Sequence, residues 1–294
     1  MITDSSCPDF LIIGAAKSGT TSLYAYLRQH PEVFLPDMKE LNYFAPSHPF
    51  GIHDFHEYCL LFKDTGQAVV AGEASPAYLS SPESPQLIHD AFGESIKMIV
   101  LLRNPVDMMY SHWAHTVRDA LEIRDAQEAL LDSFDSEWEP EKWYLHHAYR
   151  ARFPEQLKRY YDLFPKKNIK VYIYEEFFDT GLPFFHDLCD YLGVTHFVPD
   201  STQKHNAGFM PKSLALHRFI NIYYGKYFLS IARQFVPSNI RNIVRAKLDL
   251  WNGVGTARVP NMTLELRKSL EGRLAPQVRE LEALLGRDLS EVWF

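Results

Sequence analysis

The chain has 294 residues, 46% of them hydrophobic, and a formal net charge of −7, which is material for one large domain with an ample core. The acidic balance argues against a general nucleic-acid partner, and the lack of any uninterrupted apolar run of about 18 residues excludes a membrane span. The N-terminal residues have neither the basic nor the apolar region of a signal peptide, so a soluble, cytoplasmic protein is expected. Cys7, Cys59 and Cys189 are widely spaced and odd in number. They suggest neither a disulfide framework nor a zinc site and are expected to be reduced thiols.

In chain order, the first element is the apolar run Phe10–Ile13, which ends in Gly14 and reads as a strand. A small-residue turn carrying Lys17 follows, then Leu23, Tyr26 and Leu27 at helical spacing. Gly14 and Gly19 permit tight turning, and Thr20, Thr21 and Ser22 bring hydroxyls to a helix start whose free N–H groups favour an anion. The loop is therefore a phosphate cradle. In the triphosphate loop G-x-x-x-x-G-K-[ST] the lysine follows the second glycine, whereas Thr20 stands there in this chain and the lysine, Lys17, lies inside the loop.

Beyond His30 and Pro31, residues 32–44 read as an extended connector crossing the mouth of that loop, with Lys39 and Glu40 on it. The aromatic-rich stretch 50–65 reads as a surface helix, 67–71 as a second strand, and 72–78 as a loop marked by Pro76. Residues 96–102 are almost continuously apolar, as in a parallel strand covered on both faces. They end in Arg103 rather than in an acidic metal ligand, and Pro105 then suits the first turn of a helix whose second turn holds Ser111. A helix over 147–163, a fourth strand over 169–174, a helix over 182–192, long helices between 212 and 247, and a final helix near 262–285 complete the pattern. Strands alternating with helices imply an α/β fold: a P-loop-like parallel sheet flanked by helices, in a single domain over 1–294, with a mostly helical C-terminal subdomain or lid.

Two stretches have unusual charge. Residues 204–248 hold eight Lys or Arg and no acid, interleaved with aromatic residues such as Phe219, Tyr223 and Phe228. This segment reads as a helical subdomain packed on the sheet; the alternative is a lid over an apolar acceptor or a surface for anionic membrane. Residues 119–141 hold nine acids and one Arg and read as a solvated helix and loop.

Lys17-Ser-Gly-Thr-Thr-Ser22 after one strand, Arg103-Asn-Pro with Ser111 eight residues later after another, and Tyr174-Glu175 at the end of a fourth together resemble the sulfotransferase superfamily. That family transfers a sulfuryl group from 3′-phosphoadenosine 5′-phosphosulfate (PAPS) to an acceptor hydroxyl or amine, leaving the bisphosphate PAP. Lys39–Phe44 and Glu73–Tyr78 are most similar to the heparan sulfate type and to bacterial sulfotransferases, although Ala74 stands where that group has a lysine.

The resemblance implies a role for each position. Lys17, Ser18, Gly19, Thr20, Thr21 and Ser22 would hold the 5′-phosphosulfate, with Lys17 reaching the bridging oxygen. Arg103 and Ser111 would bind the 3′-phosphate, joined by Arg258 from the loop 252–260. Tyr174 would lie near the adenine, its other reading being a core residue. Glu40 would be the general base, with His53, His56, His112 and His115 as rivals and Glu73 sharing or orienting the proton. No metal is required, because one phosphate and one sulfuryl group carry less charge than a triphosphate. The acceptor would be a small molecule, lipid or carbohydrate. A P-loop small-molecule kinase and a non-catalytic nucleotide-binding protein are the competing readings.

Overall fold

The computed structural model describes residues 7–137, 139–180, 182–200 and 259–293. Arg258 and the basic segment 204–248 lie outside them. The strands are β1 (Phe10–Gly14), β2 (Val33–Phe34), β3 (Val70–Ala74), β4 (Lys97–Leu102) and β5 (Ile169–Ile173). They form one sheet in the order β2-β3-β1-β4-β5, with every neighbouring pair parallel.

Alternation along the strands builds a core on each face. Leu11 and Ile13 of β1, with Met98, Val100 and Leu102 of β4, join one apolar cluster. Helices α2 (Phe55–Leu60), α3 (Ala77–Ser80), α4 (Ser84–Phe92), α5 (Pro105–Arg118), α6 (Ala126–Asp135), α7 (His147–Arg150) and α8 (Phe153–Tyr161) pack on it. Phe10, Ile12, Ile99 and Leu101 point the other way, to α1 (Thr20–Leu27), α9 (Tyr174–Thr180) and α10 (Leu182–Leu192). Near the C-terminus, α11 (Leu264–Leu285) lays Leu266, Leu270 and Leu274 on the first cluster, and α12 (Ser290–Trp293) adds Trp293.

The chain leaves β1 toward β2 and β3 and later returns to the opposite side of β1 to make β4. The carboxyl ends of β1 and β4 therefore flank a topological switch point, the usual place for a ligand in an open parallel sheet. Lys17 follows one of these ends and Arg103 the other.

Several elements depart from the sequence reading. Among the described residues there are five strands rather than four, because Val33–Phe34 pairs with Val70–Ala71 inside the supposed connector. The second strand sits at 70–74 rather than 67–71, so Glu73 belongs to the sheet and not to a loop. Small residues suit β3 here: Gly72 lies opposite Phe10, and a Cβ on it would fall 2.4 Å from Phe10 Cζ. The helix expected over 50–65 shrinks to α2, capped by the Asp54 side chain on Glu57 N at 2.8 Å. Its Tyr58 is fully buried rather than at the surface. The helix expected over 147–163 breaks into α7 and α8 at the non-helical Arg152, and Gln156 Nε2 donates to the carbonyls of Tyr149 and Arg150 that the break leaves open.

Replacing Gly72 with Ala forces the Phe10 ring out of a filled core. A stability loss on the order of 2 kcal/mol is expected, as for overpacking elsewhere, and denaturant unfolding of the purified variant measures it.

Candidate active site

The loop leaving β1 is held beside β4 by Ala15 N donating to Leu101 O at 2.8 Å. It then turns through two left-handed residues, Lys17 (φ 64°) and Gly19 (φ 89°). Gly19 caps α1 without any side-chain hydrogen bond; Ser22 N already donates to Gly19 O at 3.0 Å, which leaves the N–H groups of Thr20 and Thr21 open to an anion. A Cβ at Gly19 would lie 2.7 Å from the Tyr174 ring. Glycine is thus required here both for its φ and for close approach.

Arg103 reaches this loop from the end of β4. Its guanidinium lies over the Tyr174 ring, 4.8 Å from the centroid, and Nη1 makes one long bond of 3.4 Å to Lys17 O. Arg103 Nε and the fully buried Ser18 Oγ have no hydrogen-bond partner. Buried polar atoms normally find partners, so two unpaired donors on either side of the switch point fit an anionic ligand between them. Thr20 and Ser22 are buried on the first turns of α1 and Thr21 is half-buried. Ser111 is half-buried on α5, six residues beyond Pro105 and so about 9 Å along the axis.

The Arg103-Asn-Pro segment is also built for structure. Asn104 caps α5 by accepting from Val106 N at 2.9 Å, Pro105 occupies its first turn, and Asn104 Nδ2 donates to Trp293 O at 2.6 Å. Glu175, which follows Tyr174, accepts from Asn104 N at 3.0 Å and from Trp293 Nε1 at 2.9 Å. One carboxylate thereby locks the ends of β4 and β5 to the C-terminal helix, and Tyr174 opens α9 rather than closing a strand.

Glu40 approaches from the other side, on the loop between β2 and α2. Its N–H donates to Ala74 O at 3.0 Å, and its carboxylate accepts from Lys39 Nζ at 2.9 Å. Glu40 and Asn42 both adopt positive φ, 63° and 50°, a conformation that persists only where surroundings enforce it. The enforcement comes from Glu73. Its buried carboxylate accepts from Ser75 Oγ at 2.7 Å, Tyr78 Oη at 2.8 Å and Tyr58 Oη at 2.9 Å, and Ser75 Oγ in turn accepts from Asn42 N at 3.0 Å. Burial pushes the Glu73 carboxyl up, against these three hydroxyls, which favour its anion.

Charge connects the two halves. Burial, helped by the Arg118 charge, pushes the Lys17 ammonium down to about 8, with Glu40 and Asp119 pulling the other way. Burial would raise Glu40, but the charge and hydrogen bond of Lys39, with His115 and His48 behind them, hold it below its ordinary value. Its side chain remains 54% accessible, so it sits in an open-mouthed hollow walled by protein.

The histidines are mostly committed elsewhere. His112 Nδ1 meets His147 Nδ1 at 2.7 Å and its Nε2 meets Tyr144 O at 3.1 Å; burial holds it well below the usual histidine value. His115 has Asp119 at 3.2 Å on Nδ1 and Arg118 at 2.7 Å on Nε2, and burial with the Lys17 charge brings it to about 4. His53 and His56 are exposed. Arg118, Asp119, His48 and the buried Arg150, which burial lowers to about 10 against the Glu40 charge, had no signal in the sequence. They come from a helix end and a loop that only the fold brings within range of Lys17 and Glu40.

A cavity of about 700 Å³ is bounded by Tyr110, Trp113, Asp125, Pro260 and Thr263. None of Lys17, Glu40, Arg103 and Ser111 lines it. No group of three or more metal-ligating side chains occurs among the described residues, and no helix there is long and apolar enough to cross a membrane.

Unpaired buried donors at the switch point of a parallel sheet, beside a lysine whose charge Glu40 influences, suit a group-transfer enzyme on a P-loop-like fold. Residues 7–210 match the sulfotransferase domain family, and the chain belongs to it. A sulfotransferase from Alicyclobacillus acidocaldarius has the same architecture, with a TM-score of 0.70 and 30% identity over 97% of this chain and 98% of that one. Human heparan sulfate glucosamine 3-O-sulfotransferase 6 is 33% identical over 110 residues, 37% of this chain and 31% of that protein. The membrane-associated sulfotransferase kil1 of Dictyostelium discoideum is 31% identical over 111 residues, 38% of this chain and 23% of that protein. The matches thus span less than a third of the length of either curated relative.

Glu73→Ala leaves three buried hydroxyls without their acceptor and releases the tether on Asn42. A loss on the order of 3 kcal/mol in denaturant unfolding is expected, whereas Tyr58→Phe, which removes one donor and leaves the carboxylate two others, should cost about 1 kcal/mol.

Proposed function

We propose that this sulfotransferase moves a sulfuryl group from PAPS to an acceptor hydroxyl. The observation that carries the reading is the pair of unpartnered buried donors that follow β1 and β4, Ser18 Oγ and Arg103 Nε, on either side of the switch point; Lys17 lies on the same loop as Ser18, and the Glu40 charge acts on it. The N–H groups opening α1, with Ser18, Thr20, Thr21 and Ser22, would take the 5′-phosphate end. Arg103 and Ser111 would hold the 3′-phosphate, a contact absent from ATP; Arg258, outside the described residues, is assigned there from the sequence alone. Tyr174, pinned between Gly19 and Arg103, would present a ring edge to the adenine.

Glu40 takes the proton of the acceptor hydroxyl as its oxygen bonds to sulfur, while Lys17 stabilises the phosphate oxygen whose bond to sulfur breaks. Charge arriving on that oxygen meets a lysine already in place, which is where such sites gain most of their rate. Glu40 is preferred to His112 and His115 because both nitrogens of each ring are engaged. For the acceptor we favour a sugar or small-molecule hydroxyl, given the glucosamine 3-O-sulfotransferase among the relatives. The reaction needs no metal in this reading, since Lys17 supplies the charge at the leaving oxygen.

Labelled sulfate transfer from PAPS across an acceptor panel tests the reading, alongside PAP binding without Mg²⁺ compared with Mg–ATP. Tight Mg–ATP binding with no PAP binding would make the protein a kinase. Lys17→Ala should lower kcat roughly 100-fold or more, and Arg103→Ala should weaken PAP binding on the order of 10- to 100-fold.

The pH profile follows from the same charges. Lys17 is protonated below about 8, and Glu40, held below its usual value, stays ionised down through the ordinary carboxylate range. kcat/KM, which reports the free enzyme, should therefore be flat near neutrality and fall as pH rises through about 8. Lys17→Arg should move that alkaline fall upward. Glu40→Gln should abolish transfer with PAP affinity unchanged; lost affinity would instead make Glu40 a structural residue.

A further inference from the structure

None of the three cysteines is in a disulfide, but two of them lie side by side. Cys7 Sγ lies 3.2 Å from Cys59 Sγ across 52 residues of sequence. Both positions are fixed by their surroundings. Two residues after Cys7, Asp9 N donates to Ala71 O at 2.7 Å, Asp9 Oδ2 accepts from Ala71 N at 2.7 Å, and Asp9 O accepts from Lys97 N at 3.3 Å, so the chain is pinned between β3 and β4. Cys59 is buried on α2, next to the Tyr58 that donates to Glu73. Cys7 is partly exposed. Cys189 is buried in the cluster on the opposite face of the sheet.

We infer that Cys7 and Cys59 are an oxidation site, closing to a disulfide with a low-molecular-weight disulfide as the oxidant. The more accessible Cys7 thiolate attacks one sulfur of the small disulfide, whose S–S bond breaks to give a mixed disulfide and one free small thiol. The Cys59 thiolate then attacks Cys7 Sγ and expels the second small thiol. The two cysteines lose two electrons and two protons, and the small disulfide gains them. Closing the remaining roughly 1 Å to bonding distance is within reach of side-chain rotation. The bond would staple the start of β1, which leads into the anion cradle, to the helix whose Tyr58 supports Glu73 and so the Glu40 loop.

The test uses the full chain treated with glutathione disulfide, then denatured and alkylated with N-ethylmaleimide. One maleimide is expected, on Cys189, together with a tryptic cross-link between peptides 1–17 and 40–63. The oxidised protein should melt on the order of 5 to 10 °C higher than the reduced one, and reductant should reverse the shift. Cys7→Ser should abolish both the cross-link and the shift, and Cys189→Ser should preserve both. Three maleimides after oxidation, a persistent glutathione adduct on Cys7, or equally fast cross-linking in urea would overturn the inference. None of these readouts depends on sulfuryl transfer.

Discussion

The buried carboxylate of Glu73 is the constraint on which the Glu40 loop of this enzyme depends. It sits on β3 in register with Leu11 of the central strand and gathers hydroxyls from α2, from the β3–α3 turn and from α3. A buried carboxylate is costly unless its oxygens are fully used, and here three donors use them. What the arrangement gains is position. The same Ser75 hydroxyl that donates to Glu73 accepts from Asn42 N, and the adjacent Ala74 carbonyl accepts from Glu40 N. A backbone carbonyl at the end of β3 and the hydroxyl of the next residue thus hold a loop containing two left-handed, non-glycine residues. The strain at Glu40 is tolerable because the sheet enforces it.

The Arg103 side of the switch point is organised by a second carboxylate used in the same way. Glu175 joins Asn104 and Trp293, so the strand end that presents Arg103 is braced by the last helix. Arg103 itself is left with a long contact, an aromatic face and an unpaired Nε. Asn104 and Glu175 beside it are satisfied while Arg103 Nε and Ser18 Oγ are not, the division of labour expected where a ligand completes the network.

Much of the fold was legible because parallel strands covered on both faces are continuous apolar runs: β1 and β4 stand where those runs stand, while the edge strand β5 alternates Ile169, Val171 and Ile173 with Lys170 and Tyr172. The β3 strand was displaced by three residues because it spends its positions on other tasks. Gly72 makes room for Phe10 and Glu73 carries the buried carboxylate, and neither looks like strand sequence. Tyr58 looked like part of an exposed aromatic helix for the same reason, since its hydroxyl partner is 15 residues away in sequence. At the site, Lys17, Arg103 and Glu40 were legible from local motifs. Arg118, Asp119 and Arg150 were not, because their relation to Lys17 and Glu40 arises from helix packing and carries no fixed spacing.

The electrostatics of Lys17 show how these late-arriving neighbours matter. Burial alone would drive an isolated lysine toward neutrality, and Arg118 pushes further in that direction. Glu40 and Asp119 oppose them, and the outcome near 8 leaves the ammonium charged at neutral pH but weakly held. A more stable ammonium would be better hydrated or better paired and so less responsive to charge appearing on a leaving oxygen. A fully neutral amine would offer that oxygen nothing. A related balance acts on Glu40, where the charge and hydrogen bond of Lys39 outweigh burial and keep its carboxylate ionised. Glu40 in turn is one of the two charges that oppose burial at Lys17, so a pair formed by neighbours in sequence, Lys39 and Glu40, sustains the charge of a residue on another loop.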